Sequence, residues 1–213
     1  MNVQVRKKYT FYANICAVDV LLPTSFDVTI NFLVNSEDPE EYAVAFEKAT
    51  HFIHNVCYGS IFFYDQDKDD IPDNLGELGN YTLGIPEPPC AQTIGIMLFC
   101  KLNAIMEDAV DVTHVIVSSA LENKIDNCIV EFCHYDDELL GGFEEHGWWN
   151  EAEFRTRDGS GFESWEDIRG KLSWDLDEET DLETHTSKKE KTEGDVVFVN
   201  FSSKKEEDDE DPQ

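Results

Sequence analysis

The stretch Ser25 to Val34 reads SFDVTINFLV, with Phe26, Val28, Ile30 and Phe32 at one parity and Asp27, Thr29 and Asn31 at the other. A period of two puts the apolar set on one face and the polar set on the opposite face, as in a strand buried on one side only. Such a strand needs sheet neighbours and an apolar cover. Tyr9 to Val20 is rich in aromatic and β-branched residues and reads as its partner strand, with Leu21-Leu22-Pro23-Thr24 as the turn of a hairpin.

Helix signals come next along the chain. Ser36 or Asp38 can cap, Pro39 fits a first turn, and Glu40 and Glu41 suit the positive end of a helix dipole. Tyr42, Phe46, Ala49, Phe52, Ile53 and Val56 recur at helical spacing to about Tyr58, and Gly59 ends the run. Asp65 to Pro89 reads as a polar loop rich in Gly and Pro. A second helix is predicted from about Pro89 to Glu107, with Ile94, Met97, Leu98, Leu102, Ile105 and Met106 inward. Strands are predicted at Val112 to Ser118 and Asn127 to His134. The order β-β-α-α-β-β implies an α+β domain over residues 1–135: an antiparallel sheet with two helices on one face.

Charge separates this domain from the rest of the chain. The protein carries 46 acidic and 16 basic residues among 213, a formal charge of −30. Residues 1–135 hold 20 acids and 7 bases, and residues 136–213 hold 26 and 9, so charge density roughly doubles in the shorter part. That part also contains all four tryptophans: Trp148, Trp149, Trp165 and Trp174. Residues 136–202 are therefore expected to form an acidic, partly ordered extension. Ser164 to Leu172 reads as a short helix in it, Asp175 to Glu193 as a linker and Asp195 to Phe201 as an edge strand. The tryptophans either pack back onto the domain or serve as aromatic anchors for a partner. Residues 203–213 read as a disordered acidic tail.

The order and size over Tyr9 to His134 resemble the tunnelling fold of the 6-pyruvoyl- and 6-carboxy-tetrahydropterin synthase family. The family's F-x-A-A-H is matched by Phe11-Tyr12-Ala13-Asn14-Ile15, its H-G-H-N-Y by Leu22-Pro23-Thr24-Ser25-Phe26, and its N-P-T-x-E-N-x-A by Pro88 to Gly95. The resemblance implies a zinc site made by three histidines, but Ile15, Leu22 and Thr24 stand in their places, and two aliphatic chains and a hydroxyl do not hold zinc. The family's substrate-anchoring glutamate falls near Ser119. The resemblance thus implies a pseudoenzyme: scaffold kept, metal and acid–base relay gone. It also implies a subunit-interface pocket, hence a homo-oligomer.

Other chemistry is sparse. Asp65, Asp67, Asp69 and Asp73 alternate in DQDKDDIPDN, similar to the calcium loops of thrombospondin type 3 repeats, and calcium is the cation such a loop would take. However, Asp70 stands where the turn glycine belongs and Gly76 where an EF-hand places its bidentate glutamate. His51 and His54 sit at i, i+3 and read as ordinary half-buried histidines. The six cysteines form no C-x-x-C pair and read as reduced, buried thiols. No G-x-S-x-G, phosphate loop or H-E-x-x-H occurs, and no catalytic residue is assigned. No apolar run reaches a membrane span and no signal peptide is read, so a cytoplasmic location without membrane contact is expected.

A net charge this negative disfavours direct binding to nucleic acid, which needs Lys and Arg to neutralise phosphates. It suits a protein that shows carboxylates where a partner expects phosphates. The expectation is a non-enzymatic acidic interaction module, such as a phage or mobile-element inhibitor, that blocks a basic or nucleic-acid-binding host protein. Asp27, Glu37, Asp38, Glu40, Glu41 and the four tryptophans are its candidate contacts, and no cofactor beyond calcium is expected. The alternative is a pterin- or purine-binding protein or enzyme using the interface pocket, and a third reading is that the charge serves solubility alone.

Overall fold

The computed structural model describes residues 3–17, 20–65, 81–120, 129–133, 140–157 and 159–178; of 17, 129–133 and 173–178 it describes the backbone alone. Two strands, β1 (Val3–Ala17) and β2 (Val20–Val34), pair antiparallel along their whole lengths, from Val3↔Val34 to Ala17↔Val20. The expected alternation holds: Phe26, Val28, Ile30 and Phe32 are buried opposite Tyr9, Phe11 and their neighbours. The turn expected at Leu21 to Thr24 is instead strand, paired with Cys16 to Ala13. Pro23 is tolerated there for a positional reason. Its partner Asn14 sends its N–H to Ser60 on the other side, so Pro23's nitrogen faces away from β1. On that outer side β5 pairs only from Phe26 onward, so no ladder bond is lost.

Helix α1 (Pro39–His51) begins as its sequence signals require. Asp38 caps it by accepting from the Glu40 N–H at 2.9 Å, and Pro39 opens the first turn. It runs into a π-helical turn, Phe52–Cys57, and stops at Gly59, whose φ of 75° suits a residue without a Cβ. Strand β3 (Ile61–Tyr64) follows, then β4 (Thr82–Ile85), helix α2 (Ala91–Met106), β5 (Val110–Ser119) and β6 (Ile129–Cys133).

The sheet is mixed, with six strands in the order β4-β3-β1-β2-β5-β6. The expected antiparallel set β1-β2-β5-β6 lies in sequence order, with both helices inserted between β2 and β5. The correction to a purely antiparallel sheet lies at β3 and β4, which add parallel to β1 and to each other. Strand β3 fills the stretch between the helix end at Gly59 and the loop expected from Asp65, and β4 lies inside that loop. Each is four residues, too short for a period to stand out.

The extension continues the same core. A hairpin of β7 (Phe154–Arg155) and β8 (Phe162–Glu163) leads into helix α3 (Trp165–Glu178). Ser164 opens α3, accepting from the Asp167 N–H and donating to its carboxylate. The helix reaches beyond Leu172 into residues expected to be linker. Phe143, Trp148, Trp149, Phe154, Trp165 and Ile168 join one apolar cluster with the sheet and helices. Consequently α2 is buried nearly all round: Gly95 lies against Val117 of β5, while Lys101 meets the extension.

Candidate functional site

The candidate contacts part company in space. Glu37, Asp38, Glu40 and Glu41 are all exposed at the start of α1. Local bonds hold two of them: Asp38 caps the helix, and Ser36 donates its hydroxyl to Glu41 at 2.6 Å. Among the described residues none of the four forms an ion pair with a base, so their charge faces solvent uncompensated. Beside them lies an apolar groove of about 380 Å³, lined by Val3, Val5, Val34, Tyr42 and Phe46 with Glu37 at its rim. Carboxylates beside a small apolar hollow could meet both the charge and the aliphatic stem of a basic side chain.

Asp27 does not belong to this cluster. It sits seven residues before Val34, about 23 Å along the strand, and on the sheet face turned away from the helices. There it accepts a hydrogen bond from Thr10 at 2.7 Å.

Three tryptophans are held inside the chain. Trp148, Trp149 and Trp165 are only 6%, 4% and 8% exposed. Trp148 donates its indole N–H to the Gly84 carbonyl at 2.7 Å, and Trp149 donates to Phe143 at 3.2 Å. Trp165 stacks among Phe154 and His51. As surface anchors for a partner they are not presented; they complete the core. The backbone of Trp174 lies in α3.

Asp65 is exposed at the end of β3, while Asp67, Asp69 and Asp73 lie outside the described residues, as does the edge strand expected at Asp195 to Phe201. Among the described residues no group of three or more His, Cys, Asp or Glu is placed to hold a metal ion. The positions that correspond to zinc ligands in the family resembled do converge. Ile15 pairs with Leu22 across the hairpin, Thr24 pairs with Ala13 next to it, and the buried Thr24 and Ser119 hydroxyls lie 3.4 Å apart. Ile15, Leu22, Thr24 and Ser119 bring two aliphatic chains and two hydroxyls together there, and none of these four is a zinc ligand.

Among the described residues Cys16, Cys57, Cys90 and Cys100 form no disulfide. Burial pushes the Cys57 thiol far above its ordinary range and that of Cys100 up to about 11, so neither supplies a thiolate near neutral pH. Cys90 is engaged structurally, its N–H donating to Thr93 at 2.8 Å at the head of α2.

The side chain that sequence reasoning passed over is Lys101. It is fully buried, and its ammonium donates to the carbonyls of Trp148, Glu151 and Glu153 at 2.9, 2.7 and 2.6 Å. Burial pulls its pKa down to about 7, partly opposed by the carboxylates of Glu151 and Glu153. A signal was present: Lys101 is the sole charged residue in the sixteen of α2. A lone lysine in so apolar a helix requires buried acceptors.

No protein-family model matches the sequence, and no curated protein matches it. Among solved structures, the chain is similar to the uncharacterized protein WS1659 from Wolinella succinogenes. The two are 10% identical, the match covers 63% of this chain and 99% of that one, and the TM-score is 0.42. No helix among the described residues is long and apolar enough to cross a membrane.

Proposed function

We propose that this chain is a non-catalytic acidic interaction protein that docks on a basic, nucleic-acid-binding partner through the start of α1. The observation that carries the reading is the uncompensated set Glu37, Asp38, Glu40 and Glu41 beside the apolar groove of Val3, Val5, Val34, Tyr42 and Phe46. Carboxylates give steering and rate, and the hollow gives a place for a side chain to be buried. The pseudoenzyme reading fits with it: Ile15, Leu22 and Thr24 meet at one end of the sheet without a zinc-binding group among them. The antiparallel order β1-β2-β5-β6, with both helices between β2 and β5, is what the tunnelling-fold resemblance leads one to expect.

The test is capture from a lysate of the native host at low and high salt. The intact chain is compared with the E37Q/E40Q/E41Q variant, which keeps Asp38 as the helix cap. Nucleic-acid-binding proteins should be retained by the intact chain, released by added DNA or RNA, released by salt, and retained poorly by the variant. Equal retention by the variant, or retention indifferent to salt and nucleic acid, rejects the reading.

A further inference from the structure

One side of the chain gathers basic side chains around a hollow. A cleft of about 850 Å³ opens between the end of α1 and the β7-β8 hairpin with α3. Its walls carry His51, His54, Tyr58, Tyr81, Arg157 and Lys171. Among the described residues the carboxylate lining it is Glu163, which Lys171 holds at 2.7 Å. An adjoining groove of about 470 Å³ shares His51 and His54 and adds Lys7 and Arg169 against Glu47. In a chain with 46 acids and 16 bases, the described residues lining the two hollows include four bases, Lys7, Arg157, Arg169 and Lys171, and two acids, Glu47 and Glu163. A surrounding negative field repels anions, so a local excess of cations around a cavity is an arrangement for receiving one.

The shape says what kind of anion. The cleft is in the size range of sites for small organic ligands and far larger than a bare phosphate needs. Tyr58 is 55% exposed, unusual for a large aromatic, and is braced edge-on by Tyr12. The Arg157 guanidinium lies 5.6 Å from the centre of the Tyr81 ring. Among the described residues Arg157 forms no ion pair, and its guanidinium can offer a fork of donors to a ligand oxygen. On the cleft wall the Asn55 amide nitrogen lies 2.9 Å from His51 Nδ1.

We propose that this cleft binds a small aromatic phosphate: a planar ring against Tyr58 and Tyr81, with the phosphate held by Arg157 and Lys171. The site lies within one chain and uses neither the carboxylates at the start of α1 nor the end of the sheet where Ile15, Leu22 and Thr24 meet. It therefore stands or falls separately from the docking reading.

Titration calorimetry on the intact chain tests it, with phenyl phosphate, phosphotyrosine and AMP as three sources of the same chemistry. Inorganic phosphate and phenol are the separate halves. At least one of the three whole ligands should bind roughly tenfold or more tighter than either half. R157E should weaken that binding by a similar factor or more, because it removes the fork and inverts the charge. R6E, on the far face of the sheet, should leave it unchanged. Arg157 is exposed and so replaceable without loss of fold, which the melting curve of R157E verifies. The proposal is overturned if none of the three binds below about 1 mM, if inorganic phosphate binds as tightly as they do, or if folded R157E binds them unchanged.

Discussion

Replacing Lys101 by Met keeps the length of the stem and removes the ammonium. Three carbonyls, of Trp148, Glu151 and Glu153, then lose a donor that now reaches each within 2.9 Å. A buried acceptor left unpaired costs about 1–3 kcal/mol, so three represent a gross loss of about 3–9 kcal/mol. Two effects reduce it. The variant no longer desolvates an ammonium, which offsets several kcal/mol, and the segment can shift to let water reach some of the carbonyls. The expected net loss is about 2–4 kcal/mol, measured by urea unfolding near pH 6, where the wild-type side chain is charged. The loss has a location as well as a size. Lys101 ties the 148–153 segment to α2, so the variant should loosen that segment first. Trp148 and Trp149 ride on it, and the emission of the folded variant should move to longer wavelength as they meet water. If K101M unfolds within about 0.5 kcal/mol of wild type with an unshifted spectrum, the three bonds do not hold the extension and this account of its docking fails.

Other expectations rest on the same packing. The Lys101 pKa of about 7 lies below its ordinary 10.5, so between those values the unfolded chain keeps a proton that the folded chain has released. Stability from this group therefore rises with pH across that window and is flat below it. The wild-type minus K101M difference, measured at pH 6, 7.5 and 9, should grow toward pH 9; a constant difference would mean the ammonium stays charged. W148F should destabilise by about 2 kcal/mol, because it strands the Gly84 carbonyl as well as opening space. W165F should cost about 1 kcal/mol or less, since the buried Trp165 N–H has no partner among the described residues; equal losses in the two unfolding curves would refute the distinction. G147A should cost about 2–3 kcal/mol, because its new methyl would land on the buried Trp149 ring and force it to move. A melting temperature equal to wild type would show that the ring has room.

How much was legible depends on the length of the pattern. The β2 strand spans fifteen residues and buries alternate side chains, so its period survives in the sequence. The stop at Gly59 is a single residue with one strong local role and read correctly, while the cap, left between Ser36 and Asp38, falls to Asp38. Pro23 misled because a proline normally ends a central strand, and its harmlessness depends on where β5 stops, which no local window contains. Strands β3 and β4 were missed because each is short and owes its place to a parallel neighbour far away in sequence. At the candidate surface, the acids of α1 were visible as a run, but their separation from Asp27 is a matter of sheet faces. The cationic cleft was invisible as a unit, because Lys7, His51, Tyr81, Arg157 and Lys171 come from five separate segments.

The distribution of charge argues that the acidity is organised, not merely abundant. A chain at −30 that packs an acidic extension onto an acidic domain opposes its own folding. Three of the described cations lie in the extension or against it. Lys101 takes three extension carbonyls beside Glu151 and Glu153, Lys171 neutralises Glu163 at the hairpin, and Arg157 lies on Tyr81. Bases used this way are unavailable to the start of α1, where four carboxylates face solvent without ion pairs among the described residues. Charge serving solubility alone would have no reason to be so divided, since an even mixture would do as well and would fold with less repulsion. The division leaves one face negative beside an apolar hollow and another locally positive around a cleft. Neutralising Glu37, Glu40 and Glu41 should therefore leave the cleft's ligand affinity unchanged, and R157E should leave the salt-dependent retention of basic proteins unchanged. Coupling between the two losses would show that the faces are one site.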